Sequence, residues 1–202
     1  MIRAITCWTI CRYAEWIVEQ HAKAIEGKAD HGSTLLGQLL GQLLMHLMDP
    51  HKRVQEAAIS ALATLEESAG QYLMPYLTPI LLSLREAYSK YQAKNLLILY
   101  DAIGTLAEAV GGALNKQEYI EILLPPLIAM WNALPDDDIR LFPLLECLAP
   151  VVTALGLGFS QFALPVYHRC LKLVEATLAA EMVSAPLSLS LSLSLSLSLS
   201  LS

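Results

Sequence analysis

The chain has 202 residues, of which 55% are hydrophobic and 16% charged, and its net charge is −6. That balance excludes a disordered polyampholyte, and a pI near 5.3 with no basic block argues against a nucleic-acid footprint. An acidic surface instead favours a basic partner. Part of the apolar fraction is the run of eight Leu-Ser dipeptides from Leu187 to Ser202, which says nothing about a packed core.

The first residues, Met1 to Trp8, carry neither a long apolar stretch nor a cleavage signature, so no secretory signal is expected. Cys7, Cys11, Cys147 and Cys170 form no Cys-x-x-Cys pair and suit a reducing compartment better than a disulfide framework. The longest candidate membrane span, Leu35 to Met48, has 14 residues, where about 20 are needed. The expectation is a soluble intracellular chain without a membrane partner.

In chain order, an opening helix begins at Met1 and carries Ile5, Trp8 and Arg12 at i, i+3 and i+7. A Trp one turn from an Arg offers a flat apolar surface with a hydrogen-bonding edge, a combination enriched at binding hot spots. The alternative is that Trp8 is core and Arg12 pairs with Glu15 at the surface. Trp16 and Trp131 read as inter-helix packing. An apolar helix spans about Leu35–Met48, and a second, with Val54, Ala57, Ala58, Ala61, Leu62, Leu65 and Ala69 on one side, follows. Asp49 suits its N-cap, Pro50 its first position, and Gly70 the residue past its end. Further helices are expected at about Leu73–Tyr88, Gln92–Val110, Gln117–Leu134 and Phe159–Met182. Asn115 and Glu118 resemble a capping box. Pro75, Pro79, Pro125, Pro143 and Pro150 should begin or kink helices.

An internal repeat organises these helices. Ala61–Gly70 (ALATLEESAG) aligns with Ala102–Gly111 (AIGTLAEAVG) at a constant offset of 41, and Cys147–Gly156 (CLAPVVTALG) follows 45 residues later. Two helices in about 40 residues is the period of HEAT repeats, with armadillo repeats the runner-up. The fold class is all-α: a right-handed α-solenoid of about four HEAT repeats over residues 1–183, partial at both ends. Such ends would leave apolar faces uncovered, so a piece of a longer array is expected. Residues 184–202 form a low-complexity tail, disordered or artefactual, since a CT dinucleotide repeat read in frame also yields Leu-Ser. As a peptide its alternation suits an amphipathic strand.

Nothing in the sequence suggests catalysis. The five histidines lack the spacing and companions of a metal site, and there is no phosphate-binding glycine loop, nucleophile elbow or His-Glu-x-x-His helix. Asp136-Asp137-Asp138 can bind a cation but more often starts a helix. No catalytic residue, metal or cofactor is expected, and recognition remains. Asp101, Thr105 and Glu108 lie along one helix face, and Glu67 holds the repeat position equivalent to Glu108. Acids recurring on equivalent helices form a stripe that attracts a Lys/Arg-rich peptide in a salt-sensitive way. The alternative is a merely solvated face.

The stretches Ile5–Trp16 (ITCWTICRYAEW), Lys52–Ala58 (KRVQEAA), Ser89–Ala107 (SKYQAKNLLILYDAIGTLA) and Leu141–Leu148 (LFPLLECL) resemble the transportin family of importin-β-like nuclear import receptors. The resemblance covers about residues 2–182 and implies HEAT repeats whose second helices hold, on a concave face, the basic proline-tyrosine localisation signals of cargo proteins. The family's central isoleucine, tryptophan and arginine match Ile5, Trp8 and Arg12, the apolar pair holding the Pro-Tyr end. Family acids facing the basic part match Glu67, Asp101 and Glu108, the last replacing an Asp. Ran GTPase and nucleoporins are implied as partners, with Ran's principal site on repeats outside this stretch. So is shuttling between cytoplasm and nucleus. The segment between Trp16 and Asp49, with Gly27 and Asp30–Ser33, is longer than the family pattern and reads as a surface insertion. The competing reading is a HEAT scaffold whose helices bind other helices.

Overall fold

The computed structural model describes residues 2–27 and 34–199, with side chains as far as Ala179. Most of the described residues are helical, with no strand among them. They divide into two units, residues 1–158 and 159–202.

In the first unit, α1 (Ile2–Arg12) and α2 (Ala14–Glu26) precede three helix pairs. These are α3 (Leu35–Leu47) with α4 (Lys52–Ala69), α5 (Leu77–Lys90) with α6 (Ala93–Val110), and α7 (Gln117–Ala133) with α8 (Leu141–Leu155). Each pair buries one face of its helices and stacks on the next, in the HEAT-repeat architecture that the period of about 40 residues implies. The closest packing runs α1 to α4 to α6 to α8, so the second helices form one continuous layer. The first helices α3, α5 and α7 pack in sequence behind them. Buried leucines between the layers, among them Leu62, Leu65, Leu99, Leu106, Leu144 and Leu155, form the core, each stabilising by about 1.5–3 kcal/mol.

The repeat is visible in the backbone. Gly70, Gly111 and Gly156 each follow the end of a second helix with φ of +49°, +50° and +49°. That conformation strains any residue with a Cβ, so the same glycine turn closes each of the three copies. At the other end of the helices a hydrogen-bonded ladder ties successive pairs. The buried Asn95 amide donates to the Lys52 carbonyl and the Gln55 side chain at 3.2 Å each, Gln55 donates to the Asp49 carbonyl at 2.8 Å, and the Tyr91 hydroxyl donates to the Leu47 carbonyl at 2.9 Å. These bonds satisfy polar groups that packing would otherwise orphan.

Several expectations need correction. α4 begins at Lys52, two residues after the expected start, because Asp49 makes a different bond. Its carboxylate accepts the His51 N–H at 2.9 Å and pairs with Arg3 of α1 at 3.1 Å. The capping box is absent: Lys116 occupies the N-cap of α7 and no side chain caps it. α2 was not anticipated; Ala14, Ile17 and His21 supply its buried side at helical spacing. Trp16 is 52% exposed, not packed, whereas Trp131 is buried as expected. Asp136–Asp138 lie in the turn before α8, not in a helix, and Asp138 accepts the Arg140 N–H and guanidinium at 2.9 Å each. Two stretches, Ala93–Leu114 and Leu141–Ala179, have the length and hydropathy of a membrane span. The first is the central core helix, whose apolar side faces α4 and α8. Of the expected insertion, Gly27 ends α2 and Asp30–Ser33 fall outside the described residues.

In the second unit α9 (Ser160–Leu199) is one helix that continues into the Leu-Ser repeat. Leucine is a good helix former and serine does not break a helix.

Candidate functional site

The second helices run parallel, and their free side forms the candidate site. Ladder partners and cavity walls fix the direction. Ile5 of α1 lies with Pro50–Val54, Trp8 with Arg53 to Ser60, and Cys11 and Glu15 with Ser60 to Ser68. Position for position, Ser60, Asp101 and Glu146 form one row across α4, α6 and α8, because the repeat offsets are 41 and 45. Glu67 and Glu108 lie in another row, two turns further along.

Trp8 is 60% exposed and Ile5 56%, so neither belongs to the core. The Arg12 guanidinium lies over the Trp8 ring, 5.5 Å from its centroid, a cation–π contact that ties the two side chains together. Arg12 makes no ion pair with Glu15 among the described residues. The cysteines Cys7 and Cys11 lie beneath this platform, and burial raises both thiols above their ordinary value. They are packing groups, not nucleophiles.

Three of the hollows along the face hold all the predicted residues between them. The first, about 640 Å³, brings Trp8 and Arg12 of α1 and Glu15 of α2 together with Thr64 and Glu67 of α4. The second, about 170 Å³ and more enclosed, lies between α6 and α8. Asp101 and Glu108 line it, and so does Glu146, which the sequence reading passed over. A signal for Glu146 existed: it stands one residue before the third repeat copy, in register with Asp101. Gly104 and Pro150 form part of its wall, and a Cβ at Gly104 would just reach the Pro150 ring at 3.4 Å. Leu97 and Tyr100 give the notch an apolar wall, and three carboxylates around such a wall suit an arginine or lysine with its stem. Ile5 stands apart, in a third hollow with His51, Lys52 and Arg53. The six predicted residues therefore occupy one face of the second-helix layer but divide among three hollows.

Beneath the stripe lies a group the sequence did not reveal. Glu66 is fully buried, and both carboxyl oxygens lack a hydrogen-bond partner among the described residues. Desolvation first, then the charges of Asp101 and Glu67, hold its carboxyl well above the usual carboxylate range. The buried Cys147 thiol beside the notch is pushed up to about 12 by burial and then by Asp101. Among the described residues no group of three or more His, Cys, Asp or Glu side chains is placed to hold a metal ion.

The fold and this face define an α-helical repeat protein with an aromatic-cationic platform and an acid-lined notch on its second helices. Over 184 residues, 91% of its length, the chain is 55% identical to transportin-1 of Homo sapiens and of Mus musculus. It is 50% identical over 182 residues to transportin-1 of Oryza sativa subsp. japonica, and 49% over 178 residues to importin subunit beta-2 of Schizosaccharomyces pombe. The chain is thus homologous to the transportin and importin beta-2 proteins over about nine-tenths of its length. It spans about a fifth of the length of those relatives, 19% of human transportin-1. No family model matches it.

Proposed function

We propose that this chain is the cargo-recognition part of a nuclear import receptor, and that it captures basic proline-tyrosine localisation signals in extended form. The observation that carries the reading is the order of groups on one face. An exposed Trp8–Arg12 platform with Ile5 one turn away adjoins Glu67, and beyond it the notch holds Asp101, Glu108 and Glu146. An extended peptide laid across the second helices places an apolar-aromatic end on Trp8 and Ile5. Its basic part then faces the carboxylates. The platform supplies affinity through buried aromatic area, and the acids supply complementarity and on-rate. The names of the homologous proteins support the same reading. Ran-driven release and nucleoporin contacts, which a transport cycle between cytoplasm and nucleus requires, belong to the rest of a full-length receptor.

Fluorescence anisotropy of a labelled basic Pro-Tyr peptide tests this directly. Trp8→Ala should weaken binding by about 30-fold or more, the effect of losing a hot-spot aromatic. Asp101→Lys with Glu108→Lys should abolish the salt dependence along with most of the affinity, since a surface stripe is screened beyond about 8–10 Å at physiological salt. A helical, folded protein that binds no such peptide, or variants that bind as well as the wild type, would leave only a scaffold for helix-mediated contacts.

A further inference from the structure

α4 and α6 are cationic at their starts, with Lys52, Arg53 and Lys94, and acidic toward their ends, with Glu67 and Glu108, and the cationic end has no place in a site for purely basic peptides. Arg53 and Lys52, in the first turn of α4, line the hollow that also contains Ile5, and His51 and Pro50 complete its wall. The hollow measures about 520 Å³. Nearby acids do not compensate these cations. Asp49 is engaged by Arg3 and by the His51 N–H. Glu56, the other near carboxylate, is paired with Lys94 at 3.1 Å. Lys52 donates to the neutral amide oxygen of Gln92, which leaves its charge unbalanced, and Arg53 has no ion-pair partner among the described residues. The positive end of the α4 dipole adds to the same field.

This cationic hollow begins at Ile5 itself, so any anion that reaches it is attached next to the apolar group the platform holds. A main-chain terminus meets that condition, because its carboxylate sits on the same residue as an anchored last side chain. An acidic side chain further along would need the peptide to continue across the start of α4. We propose that Lys52 and Arg53 bind the C-terminal carboxylate of a peptide whose last residue is anchored at Ile5 and Trp8. The chain thereby prefers signals that end at the anchor over the same signals inside a longer chain. This rests on the proposed reading of Trp8 and the acidic stripe as a peptide site.

The test uses the full chain and three labelled peptides of one basic Pro-Tyr sequence: free acid, C-terminal amide, and a form extended by four neutral residues. On the wild type the free acid should bind about two- to fivefold more tightly than the amide or the extended form, the range of a partly exposed ion pair. Lys52→Gln with Arg53→Gln should bring all three to the amide's affinity, and Arg53→Gln alone should remove part of the difference. Equal binding of acid and amide to the wild type overturns the proposal while leaving the peptide site standing. So does a preference that survives in the double variant. If none of the three peptides binds a folded wild type, the peptide-site reading fails and the terminal preference falls with it.

Discussion

Replacing Glu66 by Gln should change the pH dependence of stability more than any other single substitution in the core. The side chain is fully buried, its two oxygens have no partner among the described residues, and Asp101 and Glu67 stand close enough to raise its pKa further. Below its ordinary value of 4.5 the group is protonated in both folded and unfolded chains and costs nothing. As pH rises the unfolded chain ionises first, and the folded chain keeps its proton, so the unfolded state gains. The folded pKa is raised, so the stability present below the unfolded pKa is lost as pH climbs toward the folded one. The slope reaches about 1.4 kcal/mol per pH unit while one proton separates the states. Two pH units then remove up to about 2.7 kcal/mol from a total of about 5–15. For a unit of this size that corresponds to a Tm fall of about 5–10 °C. The glutamine has the same shape and no proton to lose. Urea melts followed by circular dichroism from pH 5 to 8, wild type against Glu66→Gln, isolate the effect because every other titrating group is common to both. A stability difference that stays flat across this range would refute the reasoning.

The same melts check four further expectations. Gly111→Ala should cost about 1–3 kcal/mol through backbone strain alone, because a Cβ there meets nothing within 4 Å while φ is +50°. Leu106→Ala, on the buried side of α6, should cost about 2–5 kcal/mol by leaving a cavity between the layers. Tyr91→Phe removes the hydroxyl that the buried Leu47 carbonyl accepts from, and should cost about 1–3 kcal/mol. Trp8→Ala should move stability by less than about 0.5 kcal/mol, since the ring is mostly exposed; a larger loss would mean that Trp8 is a packing residue after all.

The helices and their repeat were legible because burial imposes a period. Val54, Ala58, Ala61, Leu62 and Leu65 had to recur by three and four to face a neighbour, and Gly70, Gly111 and Gly156 had to be glycine to turn the chain at positive φ. Caps were less legible. Asp49 has the chemistry of an N-cap, but a carboxylate can bond an N–H two residues on, and Arg3 from another helix draws it there. Nothing local to Asp49 encodes that partner. Trp16 shows the same limit: a tryptophan reads as core, yet its place on α2 turns it outward. The exposure of Trp8 could not be read from spacing, only which residues share its face. Glu66 was invisible for the opposite reason, since a glutamate beside Glu67 reads as surface until the packing of α4 against α6 encloses one and leaves the other out.

The parallel stacking of the second helices also sets a measure for whatever lies across them. Neighbouring packed helices are about 8–10 Å apart, and an extended chain advances about 3.3 Å per residue. A peptide crossing the layer therefore meets a new helix about every three residues. The glycine turns at Gly70, Gly111 and Gly156 end each of these helices in the same way. What such a surface senses is consequently a spacing between groups more than an unbroken sequence. Residues falling between helices are free to vary, and a ligand shortened or lengthened by one residue loses its match at all the helices beyond the change.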